Sequence, residues 1–411
     1  MNHNHQLLWR PTMKNRLHKT VTIVSLGLVA ACSSGDDLPS SLQTTTTFST
    51  TFYTHSLVIK NNKVYGWGNN ALSQVGDGTT SNRATPVEVL VGGSSFSGVT
   101  KTAIGGSHSI AYKNTEAAVW TWGSNALGQT GFDPASASTK PSPSQVNVGA
   151  VVQDVAAGGN HSLAVAGNKV YAWGDNSSGQ LGDTTTVNHF APTALNSIVG
   201  TATAVAAGGS HSLAIVDNGA GVVSVYSWGN NANGQLGVGT TVTSSTPVQV
   251  RKSDGTPLTG VTMIAAGGSH SLAVTSDNKL WAWGYNGFGQ LGDGTVIDRS
   301  RAFEVPLTGF TGTVAEVAAG SAHTVVRLSD NTVWAWGYNF VGQLGNGSTV
   351  NGLSPVKVPI GTVQKIESVG GNHIVVRKVD GTYWSWGYNG QGQVGDGSTV
   401  NRLTPVQVSG I

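Results

Sequence analysis

Seven histidines recur along the chain, His55, His108, His161, His211, His270, His323 and His373, most of them followed at once by serine. An imidazole beside a hydroxyl is the raw material of a nucleophile and its base, and several imidazoles together can hold a metal ion. The spacing defeats both. Adjacent residues of a strand point to opposite faces, so a histidine cannot take the proton of its own neighbouring serine. Metal ligands must converge to within about 2 Å of one ion. These histidines fall one to a repeat, and no repeat adds a second His, Cys or acidic cluster at ligand spacing. The expectation is a structural histidine at a strand start, hydrogen-bonded to a turn, with no metal and no cofactor.

Carboxylates are equally unpromising for catalysis. Asp77-Gly78-Thr79, Asp293-Gly294-Thr295 and Asp396-Gly397-Ser398 hint at calcium loops, but each supplies one carboxylate where such a loop needs several alternating oxygen ligands. They read as Asp-Gly turns. Glycoside hydrolysis requires two acids facing each other across a pocket. The five glutamates, Glu88, Glu116, Glu304, Glu316 and Glu367, sit in no repeated setting. The expectation is a protein that is not an enzyme.

The elements that carry these residues are more informative. Trp67-Gly68 recurs as Trp122-Gly123, Trp173-Gly174, Trp228-Gly229, Trp283-Gly284, Trp336-Gly337 and Trp386-Gly387, at intervals of 55, 51, 55, 55, 53 and 50 residues. Self-similarity at this period marks a repeat architecture. In the third repeat, Val152–Ala157, His161–Val165 and Val170–Trp173 read as strands at period two, separated by Gly158-Gly159 and Gly167-Asn168. Beyond a Gly-Gln-Leu-Gly loop a fourth strand follows, clearest elsewhere as Pro247–Val250 or Pro355–Val358. Four short antiparallel strands per unit make a propeller blade. The predicted fold is therefore all-β, a seven-bladed β-propeller of four-stranded antiparallel blades over residues 48–411.

Eleven of the twelve tryptophans lie in the third strand of a repeat, as pairs such as Trp120/Trp122, with Tyr65, Tyr171 or Tyr226 replacing the first member elsewhere. Positions i and i+2 share a face, so these aromatics are expected to pack between blades. The opening strand near Phe48–Phe52 lacks the Ala-Ala-Gly-Gly signature, and ring closure is expected to set it beside the last strand, Pro405–Val408.

The N-terminus reads as an address. Arg10, Lys14, Arg16 and Lys19 precede the apolar stretch Val21–Ala31, which ends in small residues before Cys32, the only cysteine. A basic region, a short apolar core and a small-residue cleavage site describe a secretory signal over 1–31, with Met13 as an alternative start. Val29-Ala30-Ala31-Cys32 resembles a bacterial lipobox, which would make Cys32 the lipidated N-terminus and residues 32–47 a Ser/Thr-rich tether. Ser33 after that cysteine points to the outer membrane or cell surface. Without those four basic residues, 18 cations face 20 anions, leaving no basic field for a phosphate backbone. Nucleic acid is not an expected partner, and a monomer is expected.

Ala-Ala-Gly-Gly-Ser-His-Ser-Leu followed by Trp-Gly-x-Asn-x-x-Gly-Gln-Leu-Gly resembles the regulator of chromosome condensation repeat family, over nearly everything after residue 48. The resemblance implies a seven-bladed propeller. The name-giving member of that family is a nuclear guanine-nucleotide exchange factor for a small GTPase that also binds chromatin. An exported chain points instead to a lipid-anchored binding or scaffold propeller at a bacterial cell envelope, holding a protein or a glycan through its blade loops. An exchange factor and a carbohydrate-active enzyme are the alternatives. One asymmetry locates a candidate surface. The residue after Trp-Gly is Asn69, Ser124, Asp175 and Asn230 in four repeats but Tyr285, Tyr338 and Tyr388 in the last three, with Phe288 and Phe340 close by. Aromatics clustered on consecutive blades are expected to form a binding patch.

Overall fold

The computed structural model describes residues 54–411. The signal over 1–31, the lipidation candidate Cys32, the tether and the opening strand near Phe48–Phe52 lie outside the described residues. Among these residues every regular element is a strand. Seven sheets follow one another along the chain, and we number the blades one (55–88), two (101–147), three (152–194), four (201–249), five (261–304), six (314–357) and seven (363–407). In blades two to seven, four antiparallel strands lie in sequence order, and in blade one three are described, His55–Lys60, Lys63–Gly68 and Arg83–Glu88. A short hairpin, Leu90–Val91 with Ser94–Ser95, follows blade one.

Blade four shows how the repeated residues dictate the sheet. His211 pairs with Gly229 and Ser212 with Trp228 across the two central strands. Gly229 adopts φ +100°, and a side chain there would lie 2.6 Å from the Ser210 carbonyl and 2.9 Å from His211 Cα. Only glycine fits that combination of conformation and contact. The pairing with the outer strand then shifts register between Ser227 and Gly229, so that a bulge falls at Trp228. Every blade repeats this shift at its tryptophan.

The core is divided among the joints between blades. Trp228 packs with Leu163, Val170 and Leu181 of blade three, and Trp283 with Leu213, Val225 and Val250 of blade four. The second aromatic of each pair is fully buried, while the first is half-buried in every blade except five, where Trp281 is 8% exposed. Burying one such indole removes roughly 200 Å² from water, on the order of 5 kcal/mol before entropy is charged against it. The ring closes in the same way: Trp67 of blade one packs with Val375, Tyr383 and Val408 of blade seven. The last strand, Arg402–Gln407, is the outer strand of blade seven and pairs with Tyr383–Gly387. Among the described residues, closure therefore runs through side chains and loops.

Candidate functional site

The histidines come first, because their chemistry is settled by position. All seven are fully buried. The partner of six of them is a hydroxyl of the next blade, so the expected bond to a turn is replaced by a bond across the joint. Nε2 of His55 lies 2.7 Å from Ser109 Oγ, His108 2.9 Å from Ser162, His161 3.0 Å from Ser212 and His211 2.9 Å from Ser271. His270 meets Thr324 at 3.2 Å, and His373 meets Ser56 at 2.6 Å across the closure. Each hydroxyl donates its proton to a glutamine carbonyl, as Ser109 does to Gln74 O at 2.8 Å and Ser212 to Gln180 O at 2.8 Å. A hydroxyl has one proton, so the imidazole must be the donor in its own bond, which fixes the neutral Nε2–H tautomer. Burial lowers the histidine pKa to about 3 in each case, and to about 4 for His161. A neutral donor sealed from solvent is no general base.

The same glutamine carbonyls receive the indoles. Trp67 Nε1 donates to Gln393 O at 2.8 Å, Trp122 to Gln74 O at 2.9 Å and Trp228 to Gln180 O at 2.8 Å. Histidine, hydroxyl, indole and loop carbonyl thus form one polar cluster at five of the seven joints, while the Trp336 indole between blades five and six and His323 between blades six and seven have no partner.

Those loops are organised by a buried asparagine. Asn286 donates to Asp293 Oδ1 at 3.0 Å and to the Thr295 and Ile297 carbonyls at 3.1 Å, and accepts from Leu291 N at 2.9 Å. Asp293 in turn holds Arg299 at 2.8 Å, as Asp77 holds Arg83 and Asp396 holds Arg402. Burial alone would raise these three carboxyls. Hydrogen bonds from the neighbouring Thr or Ser, the arginine and the asparagine outweigh it and hold them below the ordinary carboxylate range. The Asp-Gly segments are turns whose acids are already engaged. Each glutamate is likewise paired: Glu88 with Lys63, Glu116 with Lys113, Glu304 with Lys279, Glu316 with Arg327, and Glu367 with Lys365 and Arg377.

The aromatics after Trp-Gly lie on the face these loops build. Tyr285 and Phe288 meet edge to face with centroids 5.9 Å apart, Phe288 and Tyr338 at 4.9 Å, and Tyr338 and Phe340 at 5.3 Å. Four of the five candidates therefore make one continuous ladder across blades five and six. Phe340 is 62% exposed, and the tyrosines and Phe288 are half-buried. The tyrosines of blades five and seven curl over Gly287 and Gly390, whereas blade six has Phe340 at that position and Tyr338 stacks on it. Tyr388 is not stacked into the ladder. It joins Tyr338 and Val341 in lining a depression of about 630 Å³, whose remaining wall includes Asn69, Asn160, Asn372 and Gln391.

Two features of this face escaped the sequence reading. One is that amide wall, in which Asn160 and Asn372 each stand just before a repeated histidine, Asn69 in the slot after Trp-Gly, and Gln391 in the following loop. The other is an apolar rim: Val187, Val242, Ile297, Val350 and Val400 are 60–73% exposed on five consecutive blades. A repeated signal did mark the rim, a Ser or Thr two residues earlier whose hydroxyl accepts from the aliphatic residue's N–H, as Ser348 does from Val350 at 2.9 Å.

A ring of seven antiparallel blades whose joints are made by His, Trp and the Gly-Gln-Leu-Gly loop defines a class of propeller. Residues 139–411 match the RCC1-like domain and residues 61–112 the regulator of chromosome condensation (RCC1) repeat, and the chain belongs to this family. It is 28% identical to the ultraviolet-B receptor UVR8 of Arabidopsis thaliana over 311 residues, which cover 74% of this chain and 68% of that protein. It is 30% identical to the human E3 ubiquitin-protein ligase HERC2 over 299 residues, covering 71% of this chain but only 6% of HERC2. Human WBSCR16 superposes with a TM-score of 0.74 at 24% identity, covering 84% of this chain and 94% of that one. Prp20p of Saccharomyces cerevisiae, described with its binding to Gsp1p and histones, superposes at 0.72 and 22% identity, covering 88% of each chain. At these identities the two structures share the fold.

Proposed function

We propose that this propeller is a lipid-anchored binding or scaffold protein of a bacterial cell envelope, which holds a protein or glycan on the face carrying Tyr285, Phe288, Tyr338, Phe340 and Tyr388. The observation that carries the reading is the aromatic ladder, which places adaptable apolar anchors beside a concave, uncharged depression on a rigid ring. The apolar rim extends the same surface. Acids already engaged by lysine or arginine favour binding over hydrolysis, which needs two carboxyl groups facing each other across a pocket. The basic, apolar N-terminal stretch ending at Cys32 supports export and anchoring.

Metabolic labelling with palmitate tests the anchor: label on the chain that disappears in Cys32→Ala supports it, and an unlabelled cytoplasmic chain returns the exchange-factor reading. Capture from envelope extracts tests the face. A partner retained by the full chain and lost when Tyr285, Tyr338 and Tyr388 are all changed to Ala supports the site, and equal retention by both removes it.

A further inference from the structure

The depression at the centre of the loop face has a chemistry narrower than protein or glycan. We infer that it takes a neutral oligosaccharide. This rests on the binding reading above and names its ligand class.

The wall has two characters. From blades six and seven come the rings of Tyr338 and Tyr388, and the amides of Asn69, Asn160, Asn372 and Gln391 complete it. It contains no Lys, Arg, His, Asp or Glu side chain. A phosphate, an acidic sugar or a charged peptide would find no counter-charge there. Two of the amides are also oriented by their own contacts. Asn69 Oδ1 accepts from Ala71 N at 3.0 Å and Gln74 Nε2 at 3.1 Å, and Gln391 Oε1 accepts from Asn82 Nδ2 at 2.6 Å. With the oxygens engaged inside the protein, the NH₂ groups are what Asn69 and Gln391 present to a ligand. A wall rich in neutral donors suits hydroxyl and ring oxygens, and tyrosine faces suit the apolar C–H face of a pyranose. That pairing of an apolar body with placed polar groups is how small-molecule sites orient their ligands.

The ladder adds length. Tyr338 lines the depression and also stacks between Phe288 and Phe340, so aromatic surface runs from the central mouth outward over blades five and six. A single sugar would use the mouth alone, whereas a chain of several would continue along the ladder.

The test is calorimetric titration of the full chain with maltohexaose, cellohexaose, chitohexaose and the corresponding trisaccharides, at low and at high salt. The expected result is binding of at least one hexasaccharide, weaker binding of its trisaccharide, and little dependence on salt, because no ion pair forms. Tyr338→Ala should weaken it about tenfold or more. Tyr338→Phe, which keeps the ring, should stay within about threefold. Asn160→Asp should weaken it, while Val379→Ala, in the exposed turn after the strand His373–Lys378, should leave it unchanged. Absence of binding by every hexasaccharide, or binding indifferent to both Tyr338→Ala and Asn160→Asp, overturns the inference. If no sugar binds yet an envelope protein is captured in a Tyr338-dependent way, the glycan assignment fails and the binding reading survives. If sugars fail and capture is also indifferent to the tyrosines, both fall.

Discussion

Nε2 of His373 lies 2.6 Å from the hydroxyl of Ser56, 317 residues earlier in the chain, and that hydroxyl donates to Gln393 O at 3.0 Å. The two ends of the ring are thus fastened by the same histidine, hydroxyl and carbonyl bonds that join the interior pairs of blades, all but one. Ser56→Ala removes both bonds and leaves a buried N–H unsatisfied, at a cost of about 1–3 kcal/mol. Denaturant unfolding should show a lowered midpoint with an unchanged slope. A midpoint equal to the parent's would mean that closure does not depend on this cluster.

One joint lacks the histidine–hydroxyl bond. Both nitrogens of His323 are buried without a partner, and the position that carries a hydroxyl in the other blades is Ile374 in blade seven. Blade six shows that threonine serves, since Thr324 receives His270 and donates to Gln290 O at 2.8 Å. Ile374→Thr should therefore supply His323 with an acceptor. Ile374→Val is the control, expected to cost about 0.5–1.5 kcal/mol through lost packing. The threonine variant should be at least as stable as the valine variant in equilibrium unfolding. A clearly less stable threonine variant would show that the hydroxyl fails to reach the imidazole.

Acid should dismantle the ring. The folded-state histidine pKa is lowered from 6.5 to about 3, or about 4 for His161, because burial disfavours the charged form. The unfolded chain therefore binds more protons than the folded one between those values. Stability is full above pH about 6.5 and falls as pH drops towards 3, by up to about 1.4 kcal/mol per pH unit for each histidine. Unfolding free energy measured from pH 7 to pH 4 should fall steeply, with uptake of several protons. A flat profile would contradict the neutral, donating histidines.

Much of this architecture was legible because a repeat announces itself many times over. The tryptophan spacing gave the blade count, and period-two alternation gave the strands. The histidine joints were not legible, for a specific reason. Within its strand His211 cannot reach Ser212, but it reaches Ser271, 60 residues on, because two blades are stacked at that height. Periodicity states that residues are equivalent and is silent on which copy touches which. The Ala-Ala-Gly-Gly signature hides a second joint requirement: a side chain at Gly208 would lie 2.2 Å from His211 and 2.6 Å from the Gly267 carbonyl of the next blade. The aromatic ladder was visible as composition, whereas the amide wall becomes a surface only once blades one, three and seven converge on one mouth.

Position 69 and its six counterparts sit between a glycine that admits no side chain and an asparagine that is fully buried. Asn, Ser, Asp, Asn, Tyr, Tyr and Tyr occupy this one slot in turn; the first four accept from the amide of the loop glutamine, whereas the amides of Gln290 and Gln393 have no partner, and the pairing of the strands is the same throughout. Seven such slots around a common axis behave like the wheels of a combination lock. Each can be reset by one substitution at the cost of at most one glutamine hydrogen bond, so ligand preference could change over generations far faster than the frame that presents it.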